Sequence, residues 1–245
     1  MLDLKTKIQG LGTKALLFDL DDTLYDSRRV YESGLNRAWE CFIRHRWGAK
    51  WSLNDFESHY SAARDRIKLS CAQSTSRRNR LLYFHELILG GLKRPNMALA
   101  IELHEVYATA YDEIDFEPAL NILTPLRGRY RLGLVTNQTA DAQFRKMKRL
   151  DPNGALFEVI MTSEQAGVEK PHPKIFSDAL AHLKLTAASA LMIGDNWEID
   201  IEGASGFGIP AIHLDPAQTG VPPTLVSGIP FVAKVSELED LLELL

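Results

Sequence analysis

The chain has few of the features that mark disulfide-rich, membrane-spanning or exported proteins. It contains two cysteines among 245 residues. Cys41 and Cys71 stand far apart with no metal-type spacing, so neither a disulfide scaffold nor a zinc ribbon is expected, and a reducing compartment fits. No stretch of about 18 apolar residues occurs, and the N-terminus lacks the apolar segment of a signal peptide. We therefore expect a cytoplasmic protein with no membrane partner.

An excess of basic residues is also missing, since the formal net charge is −4. Nucleic acids and anionic membranes attract proteins with a clear surplus of Lys and Arg. We therefore expect no nucleic-acid partner. A hydrophobic fraction of 45% can build a substantial core for one large domain or for a domain with an insertion.

Short apolar runs bounded by polar residues indicate buried strands, and helical patterns lie between the later ones. The runs are Ala15–Leu20, Arg131–Asn137, Phe157–Ser163, Ala190–Asn196 and Pro210–Asp215. This alternation predicts an α/β protein with a parallel sheet and helices on both faces. Ligands bind such sheets at the carboxyl ends of the strands, where most of these runs end in polar residues. The last residues, "VSELEDLLELL", predict an amphipathic terminal helix.

The segment from Ser27 to Asp115 shows long helical periodicity, as in "VYESGLNRAWECFIRHRW", and no convincing strand. It carries 14 Lys and Arg against 11 Asp and Glu, whereas the rest of the chain is acidic. We predict an all-helical insertion at 27–115 within a core formed by 1–26 and 116–245. Arg64–Arg80 holds six basic residues around a Ser/Thr-rich stretch that predicts a loop, either simply solvated or facing a phosphate or substrate.

Two clusters of acidic residues follow apolar strands. Asp19 and Asp21 end the first run in "ALLFDLDDTLYDS", and Asp195 and Asp200 follow a later run in "IGDNWEID". Carboxylates that converge from neighbouring strand ends suit a hard divalent cation, of which Mg²⁺ is the first candidate. The alternative is that these aspartates only cap helices and turns, as Asp22 is expected to do.

Two further strand ends carry groups suited to an anion. "LVTNQT" offers Thr136 and Asn137 ahead of a helix, and "GVEKPHPKIF" offers Lys170 before a helix that begins with proline. A hydroxyl, backbone amides at a helix start and an ammonium group together suit phosphate. Taken singly, Thr136 could be a capping residue and Lys170 an exposed lysine.

The four segments resemble, in order, the four motifs of the haloacid dehalogenase superfamily. They are DxDxT at Asp19–Thr23, a strand ending in Thr at Thr136, a Lys before a helix at Lys170, and GDxxxxD with Asp195 and Asp200. The resemblance covers the chain outside the insertion. It implies a Rossmann-like, doubly wound core, with segment 27–115 as the helical cap of the branch that contains many small-molecule phosphatases.

The resemblance also implies roles. Asp19 would attack phosphorus and form an aspartyl-phosphate, and Asp21 would act as general acid and base. Mg²⁺ would be held by Asp19, the Asp21 carbonyl and Asp195, with Asp200 nearby or bracing Lys170.

In the same scheme Thr136, the Asn137 amide and Lys170 would hold the phosphoryl oxygens. The dehalogenases of this superfamily replace the second acid, because displacing halide needs no leaving-group proton. Asp21 therefore favours a Mg²⁺-dependent phosphatase of small metabolites, such as nucleoside 5′-monophosphates or sugar phosphates. A phosphoryl-transfer mutase and a non-catalytic binding or regulatory protein are the alternatives.

Overall fold

A computed structural model of the chain describes residues 2–45, 50–218, 224–226 and 232–245. Seven strands lie within these ranges. They are β1 (Ala15–Phe18), β2 (Arg131–Thr136), β3 (Phe157–Thr162), β4 (Ala190–Gly194), β5 (Ala211–Leu214), β6 (Thr224–Val226) and β7 (Val232–Val235). β1 and β4 are fully buried, as expected for strands covered on both faces.

The strands form one sheet in the order β3-β2-β1-β4-β5-β7-β6. Every pair is parallel except β6 with β7. The order steps outward from β1 in both directions, and right-handed crossovers then place helices on opposite faces. The predicted fold class, a doubly wound α/β sheet, is confirmed, and the five predicted strands lie within a few residues of their expected ends.

Eleven α-helices occur in the described residues. They are α1 (Leu2–Gln9), α2 (Ser27–Arg44), α3 (Leu53–Ser70), α4 (Arg80–Leu92), α5 (Met97–Ala108), α6 (Glu117–Arg127), α7 (Ala140–Leu150), α8 (Ser163–Ala166), α9 (Pro173–Leu183), α10 (Gly203–Gly206) and α11 (Asp240–Leu244). A π-helical segment, Trp197–Glu202, runs directly into α10. No described helix is long and apolar enough to cross a membrane.

The chain divides into two compact units. One consists of Met1–Asp26, Asp115–Asn137 and Met147–Leu245, and the other of Ser27–Ile114 with Gln138–Lys146. The second unit contains α2 to α5 and no strand among its described residues. Its interior is largely aromatic, with Phe42, Phe56, Tyr60, Phe84 and Tyr107 all fully buried.

This division differs from the predicted one at two places. Asp115 groups with the sheet, and the segment 138–146, predicted as core, groups with the helical unit. Within that unit Arg145 makes two 3.1 Å bonds to Glu105, and the Lys146 ammonium lies 5.3 Å from the centre of the Tyr111 ring. These contacts are set by tertiary structure and leave no local trace in the sequence.

Two local predictions are corrected, and part of a third lies outside the described residues. The expected C-terminal helix is short, because Val235 ends a strand and α11 begins only at Asp240. Arg64–Arg80 is mostly helical, since α3 extends to Ser70 and a 3₁₀ turn occupies Thr75–Arg78. Arg46 and Trp47, the end of the first helical pattern in the insertion, lie outside the described residues.

Candidate active site

The first motif leaves the sheet in a tight turn directly after β1. The Asp19 amide donates to the Ile193 carbonyl at 2.9 Å, which extends the pairing with β4 by one residue and fixes the direction of the Asp19 side chain. Asp22 takes a left-handed φ of 64°, and its amide donates to the Tyr25 carbonyl at 3.0 Å. The Tyr25 hydroxyl donates to Asp21 Oδ1. The predicted turn role of Asp22 is confirmed, and the turn gives Asp21 a partner that the motif does not reveal.

Lys170 joins two of the aspartates. Its Nζ lies 2.7 Å from Asp19 Oδ1 and 2.6 Å from Asp200 Oδ1, and its side chain is only 1% exposed. A buried ammonium is costly unless carboxylates surround it, and here it has two. The alternative that Lys170 is an exposed surface lysine is therefore wrong.

The Asn137 side chain makes two hydrogen bonds to the backbone of Lys170. Its Nδ2 donates to the Lys170 carbonyl at 2.9 Å, and its Oδ1 accepts from the Lys170 amide at 2.6 Å. Sequence reasoning assigned Asn137 only a backbone amide for phosphate. The side-chain contact spans 33 residues, so only a structure reveals it.

Asp195 and Asp200 are positioned by the loop and π-helical segment after β4. Thr23 Oγ1 donates to Asp195 Oδ1 at 3.1 Å, and the Asn196 amide donates to Asp200 Oδ2 at 3.1 Å. A hydrogen bond of 2.8 Å joins the Asp195 carbonyl to His213 Nε2 on β5. The T of DxDxT thus connects the first motif to the fourth.

Gly194, the last residue of β4, allows Asp200 to approach the strand. A Cβ placed there would lie 2.6 Å from the Asp200 carboxylate. Only glycine leaves this space, so the G of GDxxxxD has a steric role.

One oxygen from each of Asp19, Asp195 and Asp200 lies within 4.8 Å of the other two. Burial chiefly raises the pKa of Asp19 to about 7, against the lowering effect of Lys170 and together with the raising effects of Asp200 and Asp21. Burial and then Asp200 raise the pKa of Asp195 to about 6. Burial opposes the charged form of Lys170, but the carboxylates of Asp19 and Asp200 outweigh it and raise the Lys170 pKa.

Burial is the main cause of both raised carboxyl pKa values, and repulsion from Asp200 adds to it. Three carboxylate oxygens in one small volume are a donor set suited to a hard dication. A cation there would lower the pKa of both carboxyls and remove the repulsion. The residues present therefore fit Mg²⁺.

Thr136 is the last residue of β2 and is buried. Since Phe18 pairs with Leu134, Thr136 lies level with the chain just beyond β1, at the edge that carries Asp19.

His172 caps α9, where its Nδ1 accepts from the Lys174 amide at 3.2 Å. Trp197 packs edge-on against His213. The structure thus brings together Asp19, Lys170, Asp195 and Asp200.

Comparison with known proteins identifies the family. A model of the haloacid dehalogenase-like hydrolases matches residues 13–208. The chain belongs to this family, as predicted, and is a hydrolase.

Two curated relatives cover most of the chain. One is the ribulose-1,5-bisphosphate 5-phosphatase of Halopiger xanaduensis, 33% identical over 83% of this chain and 85% of that protein. Another is a glyceraldehyde 3-phosphate phosphatase of Pyrococcus abyssi, 34% identical over 81% and 80%. Among solved structures, a 2-haloacid dehalogenase from Pseudomonas syringae superposes with a TM-score of 0.72 at 25% identity, covering 95% of this chain and 97% of its own.

Proposed function

We propose that the chain is a Mg²⁺-dependent phosphatase that hydrolyses small phosphorylated sugars through an aspartyl-phosphate on Asp19. The observation that carries this proposal is the buried pairing of Asp19 and Asp200 with Lys170, with an Asp195 oxygen within 4.8 Å of the other two carboxylates. Both curated relatives described above are named for the hydrolysis of phosphorylated sugars or trioses.

The proposed chemistry begins at Asp19. A carboxylate oxygen of Asp19 forms a bond to phosphorus while the bond from phosphorus to the ester oxygen breaks, and Asp21 gives its proton to the departing alkoxide. Asp21 then takes a proton from water, whose oxygen attacks phosphorus and releases phosphate and free Asp19. The Tyr25 hydroxyl donates to Asp21 Oδ1 and so fixes the orientation of that carboxyl group.

Lys170 serves two purposes in this scheme. Its ammonium favours the ionised, nucleophilic form of Asp19, and it offers positive charge to phosphoryl oxygens during transfer. Thr136 and the Asn137 amide are assigned to the same oxygens. Mg²⁺ would be held by Asp19, Asp195 and the Asp21 carbonyl; when bound, it neutralises carboxylates and phosphate and polarises the phosphoryl group. Asp200 braces Lys170.

Asp21 favours phosphate esters over organic halides. An alkoxide leaving group needs a proton, whereas a halide does not. We assign the segment 27–115 the part of a cap that selects the substrate. The free Cys41 and Cys71 are consistent with the proposed cytoplasmic location. The net charge of −4 disfavours nucleic acid as a partner.

The test measures inorganic phosphate released from a panel of sugar phosphates, triose phosphates and nucleoside 5′-monophosphates, with Mg²⁺ and with a chelator. We expect Mg²⁺-dependent turnover that is highest on sugar or triose phosphates. Asp19→Asn should abolish it. Asp178→Asn is the matched control, because Asp178 only pairs with Lys174 at the surface.

Other outcomes would select the alternatives. A mutase would move the phosphate to another carbon, which ³¹P NMR of the product distinguishes from free phosphate. Absence of turnover on the whole panel, with Asp19→Asn no different from the parent, would favour a binding protein. Highest turnover on nucleotides would keep the chemistry and overturn the sugar assignment.

A further inference from the structure

A second cluster of potential metal ligands lies in the helical unit, outside the four motifs. Cys41 is on α2, and His45 follows directly after Arg44, the last residue of that helix. Glu102 is on α5. Residues four apart on a helix project from the same face, so Cys41 and His45 can approach Glu102 together.

The three side chains are already in contact. Cys41 Sγ lies 3.3 Å from Glu102 Oε1, and His45 Nε2 lies 3.1 Å from Glu102 Oε2. One atom from each of the three residues lies within 4.8 Å of the other two. Tetrahedral zinc, with bonds of about 2.0 to 2.3 Å, separates its ligand atoms by roughly 3.3 to 3.8 Å. Small side-chain adjustments would therefore bring all three atoms around one ion.

We propose that Cys41, His45 and Glu102 form a zinc site within the helical unit, with solvent as the fourth ligand. Sulfur, imidazole nitrogen and carboxylate oxygen are the three ligand types that zinc uses in proteins, and a thiolate selects against Mg²⁺. The charges also balance, because a thiolate, a carboxylate and a neutral imidazole together carry two negative charges.

The exposure of two of the three side chains leaves the fourth ligand position open to solvent. Cys41 is buried, whereas the His45 and Glu102 side chains are 37% and 49% exposed, so water reaches the ion from their side. Without metal the protonated thiol donates a hydrogen bond to Glu102 Oε1, and burial followed by Glu102 raises the Cys41 pKa to about 11. Zinc binding replaces that proton, which passes to solvent. The ion would link α2 to α5.

The site can be tested without any assay of catalysis. Titrating Co²⁺ into the protein in the presence of excess Mg²⁺ should give a near-ultraviolet sulfur-to-cobalt charge-transfer band that saturates at one equivalent. The candidate active site offers only oxygen ligands among Asp19, Asp195 and Asp200, so it cannot produce that band. Zn²⁺ should then displace Co²⁺ and remove the band.

Variants assign the ligands. Cys41→Ser should abolish the band, and Cys71→Ser, which removes the chain's other thiol, should leave it unchanged. Since Cys41 is buried, Glu102→Gln and His45→Asn provide variants at half-exposed positions. Each should weaken Zn²⁺ binding by more than about tenfold, given that losing even an outer partner of a ligand costs about 10–100-fold.

Thermal unfolding gives an independent readout. One equivalent of Zn²⁺ should raise the unfolding temperature of the parent and of Cys71→Ser, but not of Glu102→Gln. Absence of a charge-transfer band, or a band that survives Cys41→Ser, would overturn the site. So would Zn²⁺ binding of equal strength in the parent and Glu102→Gln.

Discussion

Gly194 shows how one missing side chain positions charged residues of the site. A methyl group at this position would meet Asp200 at 2.6 Å, and Asp200 in turn holds Lys170. We expect Gly194→Ala to lower the free energy of unfolding by about 1–3 kcal/mol, the range for overpacking. It should also reduce turnover, because Lys170 loses a fixed partner.

Gly206 is the matched control for that substitution. It lies in α10, and nothing is within 4 Å of a Cβ placed there. Gly206→Ala should be neutral or stabilise the protein by up to about 1 kcal/mol, as alanine does in helices. Chemical denaturation of both variants checks the pair. Equal effects at the two positions would contradict the steric role of Gly194.

Asn137 acts on Lys170 through two hydrogen bonds to its backbone. Asn137→Ala leaves the amide and carbonyl of Lys170 without these partners, at a cost of about 1–3 kcal/mol per buried group. We expect kcat to fall more than KM rises, because Lys170 acts during phosphoryl transfer. Asn153→Ala, at an exposed position, should change neither quantity. A loss of stability with kcat unaltered would restrict Asn137 to a structural role.

Among the elements, β3 depends on a single carboxylate before it. Asp151 is buried and accepts hydrogen bonds from the amides of Ala155, Leu156 and Phe157, at 2.6 to 3.0 Å. Asp151→Ala removes all three bonds. The Phe157 amide is buried whereas Ala155 is exposed to water, so we expect the free energy of unfolding to fall by about 1–3 kcal/mol. Asp178→Ala breaks only a surface ion pair, worth at most about 1 kcal/mol. Urea denaturation compares the two, and equal losses would refute the prediction.

The strands that carry the motifs could be predicted because they are buried on both faces and consist of continuous apolar runs. The edge pair β6 and β7 was missed, since these strands have only three and four residues and no residue of β6 is buried. Apolar residues in "VSELEDLLELL" also suit a helix, and tertiary pairing makes Val235 a strand residue instead. Local periodicity does not record such long-range contacts.

In the candidate site, too, local sequence patterns could be predicted and long-range contacts could not. Asp19, Asp195 and Asp200 could be predicted because each stands in a motif with fixed spacing. Lys170 could be predicted because it precedes a helix that begins with proline. Thr23 and the Asn137 side chain act across the fold on Asp195 and Lys170, so only the structure shows their contacts. Tyr25 bonds Asp21 within the turn after β1, a contact that the motif does not specify. Gly194 was within a quoted motif, but its steric function depends on where Asp200 lies.

Over the entire chain, the acidic cluster links stability to pH and to the cation. Asp19 and Asp195 have raised pKa values in the folded protein without metal, so that state holds protons that the unfolded chain releases. Stability from this source is complete below about pH 4 and is lost as the pH rises through about 6 to 7. Mg²⁺ offsets the loss by favouring the ionised carboxylates.

We therefore expect Mg²⁺ to raise the unfolding temperature much more at about pH 8 than at about pH 5. Differential scanning calorimetry of the parent and of Asp195→Asn measures the effect, and the variant should respond weakly at both values. An equal response of the parent at both pH values would contradict the linkage.

The left-handed turn at Asp22 has a consequence for the ions that the acidic cluster attracts. Glycine would adopt a φ of 64° without strain, so backbone geometry does not call for an aspartate. Burial and Asp200 are the larger causes of the raised Asp195 pKa, and the carboxylate of Asp22 adds a smaller contribution in the same direction. We expect Asp22→Gly to weaken Mg²⁺ binding and to strengthen binding of doubly charged anions, because one negative charge is removed. The Kd for Mg²⁺ measured by calorimetry and the KM for the phosphate ester should therefore move in opposite directions in Asp22→Gly.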